Sequence, residues 1–293
     1  MAKVQAKPKE KAPKKKQTLG MKILTVLFTV VSIFYVMPIV VVVMNSFKTN
    51  AGISTELFAL PNADTFYGFK SYITGMFYGN FPFYKTILCS LFITVGGVFL
   101  ILFCTSMCAW YLSRSNSLVC KIIYYFCIFS MVVPFQMVMF TLSKFANILH
   151  LSNPAGICIV YLGFGAGLAV FMFTGFVKQI PLEIEEAAMI DGCSPVQTYF
   201  KVVLPIMKPT IITVAILDAM WIWNDYLLPS LVLNVNKYKT IQIAVQFLKQ
   251  SHGQIDWGAM MAVLVLAILP IVIFYIFVQR YIIEGVVAGA VKG

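Results

Sequence analysis

Runs of about twenty apolar residues recur along this chain, at 23–44, 86–111, 122–142, 156–177, 211–233 and 259–278. A helix rises about 1.5 Å per residue, so each run matches the roughly 30 Å hydrocarbon core of a bilayer. The expected fold is therefore all-α, a polytopic membrane protein with six transmembrane helices. Composition agrees, since 60% of the 293 residues are apolar and 11% are charged, where a soluble domain carries about a quarter. A water-soluble globular fold is excluded.

The formal charge of +11 points to no nucleic-acid partner, because 8 of the 22 Lys and Arg residues lie in the first 22 positions. That tail, 1–22, has two prolines and no aromatics, the composition of a disordered segment. The apolar run behind it is longer than a signal-peptide core and has no small-residue cleavage site, so it is expected to stay as the first span, 23–46. Basic residues beside a span favour the cytoplasm. Six spans return the C-terminal tail, 281–293, to the same side, and this assignment places 15 Lys and Arg inside against 7 outside. Membrane lipid is the implied surrounding.

Catalytic equipment is missing. Only His150 and His252 exist, both in outer connections, and no H-E-x-x-H, G-x-S-x-G or G-x-x-x-x-G-K-[ST] pattern occurs. No catalytic or metal-binding residue and no cofactor is expected, and any ATP chemistry must come from a partner. The seven cysteines lie in spans or cytoplasmic segments, which argues against a disulfide framework; Cys104 and Cys108, at helical spacing without His partners, read as packing residues. Gly163, Gly165 and Gly167 lie within an apolar run and read as a helix-packing face, with Gly163 and Gly167 at GxxxG spacing. Two outer segments are long. Aromatics between Phe66 and Phe81 and turn signals at Pro61-Asn62 and Gly79-Asn80 make 47–85 a part-folded segment near the headgroups or a plain loop, and 241–248 is a short outer helix.

The connection 178–209 is the most informative stretch. Pro181 fits a first helical position, Glu183, Glu185 and Glu186 complement the positive end of the helix dipole, and Gly192 supplies a left-handed stop. Ser194, Pro195 and Gln197 form a second start of the capping-box type. Val196, Tyr199, Phe200 and Val203 fall on one face of that second helix, and Pro205 marks its end. The expectation is helix, sharp turn, helix.

The order Glu186-Ala187-Ala188, three residues, Gly192, nine residues, then Val202-Val203-Leu204-Pro205 resembles the EAA signature of binding-protein-dependent ABC importer permeases, with Val202 where the family usually has Ile. Trp223-Asn224-Asp225-Tyr226 and the ending Gly285 to Gly293 extend the similarity to the maltose-type carbohydrate permease subunits with six spans and a short first external loop. The resemblance covers 23–293. It implies a type I ABC importer permease fold, with a core at 86–280 and an external loop at 47–85. It also implies a bacterial inner-membrane location and transport of a sugar or oligosaccharide. Implied partners are a second permease subunit, a cytoplasmic ATPase dimer and a solute-binding protein outside the membrane.

In such permeases the EAA loop docks on the ATPase. Carried over, Glu183, Glu186, Ala187, Ala188, Asp191 and Gly192 would form the docking helix, with Glu186 pairing a basic residue of the ATPase. Gly289, Lys292 and Gly293 would reach the ATPase from the C-terminal tail. The plainer alternatives are an amphipathic helix resting on headgroups and a disordered chain end.

A translocation path is expected along the fifth span. A carboxylate near the bilayer centre costs roughly 2.5 to 3.5 kcal/mol, so Asp218 and Asp225 should not face lipid. Seven residues apart, they share a helical face with Trp221 between them, and Asn224 adjoins. That face is either a wall on which sugar hydroxyls meet acceptors and an aromatic ring, or a set of helix-to-helix hydrogen bonds. Three competing classes remain open: an importer permease for a non-sugar solute, an ion-coupled carrier using the two carboxylates, and a membrane-embedded enzyme. The absent motifs disfavour the last, and an ATPase-docking loop has no use in the second.

Overall fold

A computed structural model describes residues 18–77, 82–250 and 256–290, with side chains except at 247–250 and 282–290. Most of the basic tail, Gly79-Asn80, His252, Lys292 and Gly293 lie outside the described residues. The described residues form helices and no strand beyond one isolated antiparallel bridge, Lys48 with Phe66.

Helix α1, Leu19–Asn45, is the first element among the described residues, and every residue from 19 to 40 is exposed on it. Two short helices follow, α2 at Asn50–Thr55 and α3 at Lys70–Met76. Phe47, Phe69 and Tyr72 pack there with ring centroids 5.4–5.8 Å apart, and Asn45 is fixed by 2.8 Å bonds from its amide to Val41 O and Leu57 O. The segment after the first span is thus folded over its described residues.

Helix α4, Phe83–Arg114, is 32 residues long with no internal proline. It packs most extensively on α7, Pro154–Val177, which starts with Asn153 capping Gly156 N at 2.9 Å and Pro154 in the first turn. Ile93, Ile101, Tyr161, Val170, Phe173 and Val177 lie buried between or beside these two helices. Close approach comes from Gly165, where an added Cβ would stand 2.5 Å from Ile101, and from Gly167, where it would stand 2.6 Å from Ser130 Oγ and 2.7 Å from Cys127 O. Gly163 has nothing within 4 Å. The packing residues are therefore Gly165 and Gly167, not the GxxxG pair Gly163 and Gly167, because the two flanking helices approach α7 from different sides.

The expected third span, 122–142, is not one helix. It is α5, Leu118–Val132, and α6, Phe135–Ile148, bent by 108°. Pro134 has no N–H to give and forces its neighbour out of the helical region, and Val133 accordingly sits at φ −73°, ψ 115°. The loop 178–209 holds α8, Leu182–Ile190, then α9, Pro195–Thr198, a π-helical turn at Tyr199–Val203, and α10, Leu204–Ile206. Pro205 does not end that helix; the chain bends by 75° two residues beyond Pro205, at buried Met207, and α11 starts at Lys208.

The fifth expected span, 211–233, is likewise interrupted: α11 stops at Asn224 and α12 covers Leu227–Val232. A short helix forms where one is expected, α13 at Ile241–Gln250, and α14, Trp257–Ala290, is the last among the described residues. Four of these helices are long and apolar enough to cross a membrane, and the number rises to as many as six if each bent pair is one span.

Candidate functional site

The loop between α7 and α11 is built from local chemistry. Ser194 accepts from Gln197 N at 3.3 Å while Gln197 Oε1 accepts from Ser194 N at 2.9 Å, a complete capping box. Helix α8 ends in a Schellman turn: Cys193 N donates to Ala188 O and Gly192 N to Met189 O, both at 3.0 Å. Gly192 holds φ +87°, open to glycine at no steric cost.

Burial then divides α8 into two faces. Glu185 and Ala188, three residues apart, face inward, while Glu183, Glu186, Ala187 and Asp191 are exposed with Gly192. Leu182, Ile184, Met189 and Ile190 add large apolar side chains to that exposed surface, Ile190 at 86%. Of the expected docking residues only Ala188 is withdrawn into the fold.

The inward face meets a feature that the sequence argument missed. Glu185 is 1% exposed. Its Oε1 accepts from Arg114 Nε at 3.0 Å and Arg114 Nη2 at 2.7 Å, and its Oε2 from Trp110 Nε1 at 3.0 Å. Arg114 Nη2 also donates to Ile180 O at 3.0 Å. Tyr199 shares a 2.7 Å hydrogen bond with Ser106 and lies 5.4 Å from the Trp110 ring. Ser106, Trp110 and Arg114 are spaced by four along α4, so one stripe of that helix holds the loop. The spacing was visible in the sequence; which of three neighbouring glutamates it would meet was not.

In the second loop helix only half of the expected face is buried. Tyr199 and Val203 are inside, whereas Val196 is 61% and Phe200 41% exposed. The π-helical turn widens the backbone at Tyr199–Val203 and breaks the 3.6-residue repeat on which that face depended.

The polar residues of the fifth span are brought together differently from the expectation. Asp225 lies beyond the end of α11 in extended geometry, φ −75° and ψ 126°, so it does not share a helical face with Asp218. Its Oδ1 accepts from Leu227 N at 2.9 Å and starts α12, and its Oδ2 accepts from Tyr161 Oη at 3.0 Å. Tyr161 also meets Trp221 edge to face, centroids 5.4 Å apart. Tyr161, on α7, is thus the group joining Trp221 to Asp225, and nothing in the sequence distinguished it from other aromatics. Asp218 is 2% exposed, and its Oδ2 has no hydrogen-bond partner among the described residues. Asn224 is exposed and turns its amide back to Met220 O at 2.7 Å. On another side of α11, Met220 and Trp223 line an apolar groove of about 420 Å³ with Val98, Phe99 and Phe274. Gly289 falls in the last turn of α14. Among the described residues no group of three His, Cys, Asp or Glu could hold a metal.

A family model for the inner-membrane component of binding-protein-dependent transport systems matches residues 101–287, which include the whole loop and the α11 site. The chain belongs to this family. It is a multi-pass membrane transport subunit, not a catalytic one.

This permease is 38% identical over 270 residues to a probable permease protein for starch degradation products from Thermoanaerobacterium thermosulfurigenes, covering 92% of this chain and 96% of the relative. It is 32% identical to the permease of a multiple sugar-binding transport system from Streptococcus mutans, covering 91% and 95%. Its fold matches a chain in the crystal structure of a bacterial ABC transporter that imports the acidic polysaccharide alginate. The TM-score there is 0.79 at 22% identity, covering 92% of this chain and 99% of that one.

Proposed function

We propose that this chain is the transmembrane permease subunit of an ATP-driven importer, forming part of the path for a sugar or oligosaccharide that a solute-binding protein delivers. The observation that carries it is the exposed face of α8. Glu183, Glu186 and Asp191 stand among protruding Ile184, Met189 and Ile190 on a loop whose other face is tied to α4. A rigid, mixed acidic and apolar helix face fits a groove on a cytoplasmic ATPase. Two curated relatives whose names specify sugar or starch-derived cargo match over nine-tenths of the chain and support the substrate class.

The remaining assignments follow. A second permease completes the path, and both termini of this chain are cytoplasmic. Trp221 and Asp225, held by Tyr161, offer a ring face and a carboxylate to a passing sugar; Asp218 and Asn224 flank them. The tail residues Gly289, Lys292 and Gly293 reach the ATPase dimer, where glycines permit close approach of backbone.

The test is Glu186→Lys, expressed with the ATPase and the second permease. Reversing the charge of an exposed interface carboxylate creates a like-charge contact, so ATPase co-purification and uptake should both fall at least about tenfold while membrane insertion is unchanged. Normal co-purification and normal uptake would refute the docking role.

A further inference from the structure

We infer that Arg114, Glu185 and Trp110 form the positioning joint through which movement of the ATPase-docking loop reaches the membrane helices; this rests on the docking role proposed above for the opposite face of α8.

Both carboxylate oxygens of Glu185 are engaged, one by two guanidinium nitrogens and the other by an indole N–H. The group is nearly inaccessible to water, and removing one partner would strand a buried charge. Separating α8 from α4 is therefore costly in a way that parting apolar side chains is not. The second loop helix is tied at the same place, because Tyr199 bonds Ser106 one turn below Trp110 and packs on the indole.

The covalent routes out of the loop both change direction, and one of them runs through Ile180, whose carbonyl the same Arg114 holds. On one side Lys178, Gln179, Ile180 and Pro181 connect α7 to α8, and on the other the chain turns through 75° at Met207 before α11. The non-covalent route ends instead on α4, an unbroken 32-residue helix that reaches the outer side at Phe83 and packs along α7 and α11. A push on α8 is transmitted best through that helix. The four-residue stripe of Ser106, Trp110 and Arg114 is where it enters.

The experiment uses the assembled transporter in proteoliposomes with its binding protein, and measures ATPase co-purification, ATP hydrolysis and solute taken up per ATP. Glu185→Gln keeps the shape of the side chain and removes its charge, and Trp110→Phe keeps the ring beside Tyr199 and removes the N–H. Both should retain the ATPase at parental levels. Uptake per ATP should drop at least about tenfold in Glu185→Gln, since the buried pair is broken, and by less in Trp110→Phe. Exposed Glu186→Lys should instead lose the ATPase. Parental uptake per ATP in Glu185→Gln and Trp110→Phe overturns the joint. Loss of the ATPase in both, in parallel with Glu186→Lys, also overturns it, since the group would then serve docking alone. A parental subunit that brings down no ATPase refutes the docking function itself.

Discussion

Glu185 and Glu186 are adjacent in the chain and opposite in environment: one carboxylate is closed in by Arg114 and Trp110, the other is exposed. Their different roles come from a 100° turn per residue on the helix, with nothing chemical to separate them. Tyr161 makes the same point at the α11 site. Its hydroxyl is one of the groups that satisfy Asp225, while its ring supports Trp221. Tyr161→Phe keeps the ring contact and leaves the carboxylate one donor short, a loss of about 1–3 kcal/mol for a half-buried acceptor. The expected result is a lower denaturation midpoint of the detergent-solubilised subunit. An unchanged midpoint would mean that water replaces the phenol without cost.

Elements end here where the backbone loses a donor or a side chain offers a better one. Pro134 divides α5 from α6 by its missing N–H, and Asp225 divides α11 from α12 by capping the second helix with its own carboxylate. Between elements, glycine sets how near two axes come. At Gly167 a methyl group would collide with both a side chain and the carbonyl of Cys127 on α5, and the backbone there has no rotamer with which to yield. Gly167→Ala should therefore destabilise the subunit by about 1–3 kcal/mol through overpacking. Gly163→Ala, which meets nothing within 4 Å, should be neutral or slightly stabilising, since alanine is the better helix former. Thermal denaturation of the two variants side by side checks the contrast; equal effects would refute the assigned packing face.

At the scale of the whole molecule, long stretches of apolar helix surface stand exposed. Every residue of α1 from 19 to 40 is exposed, and α11 presents Trp221 and Asn224 outward next to the groove containing Met220. A translocation path between two permeases would wet the Trp221 side and keep the groove dry. Single cysteines at Trp221 and Asp225, in a background without the seven native cysteines, should react with a small hydrophilic thiol reagent or cross-link to the second permease. A cysteine at Met220 should react more slowly by about an order of magnitude, because a thiolate is disfavoured in an apolar groove. Equal reactivity at the three positions would place the path elsewhere.

The sequence by itself determined the membrane as solvent, the helical class, and the helix, turn, helix design of the loop between α7 and α11. Each depends on residues close in the chain: apolar length against bilayer thickness, Pro181 and Ser194 at helix starts, Gly192 at a left-handed stop. The capping box and the Schellman turn formed as local chemistry requires. The break at Pro134 was equally local and legible, and a count of apolar length alone passed over it. Other features were decided only when distant helices met. The burial of Glu185 against Arg114, the pairing of Tyr161 with Asp225, and the choice of Gly165 and Gly167 over Gly163 all depend on which side of a helix another helix covers. Hydrophobic periodicity could not supply that side, because α7 is apolar all round, so its sequence marks no face.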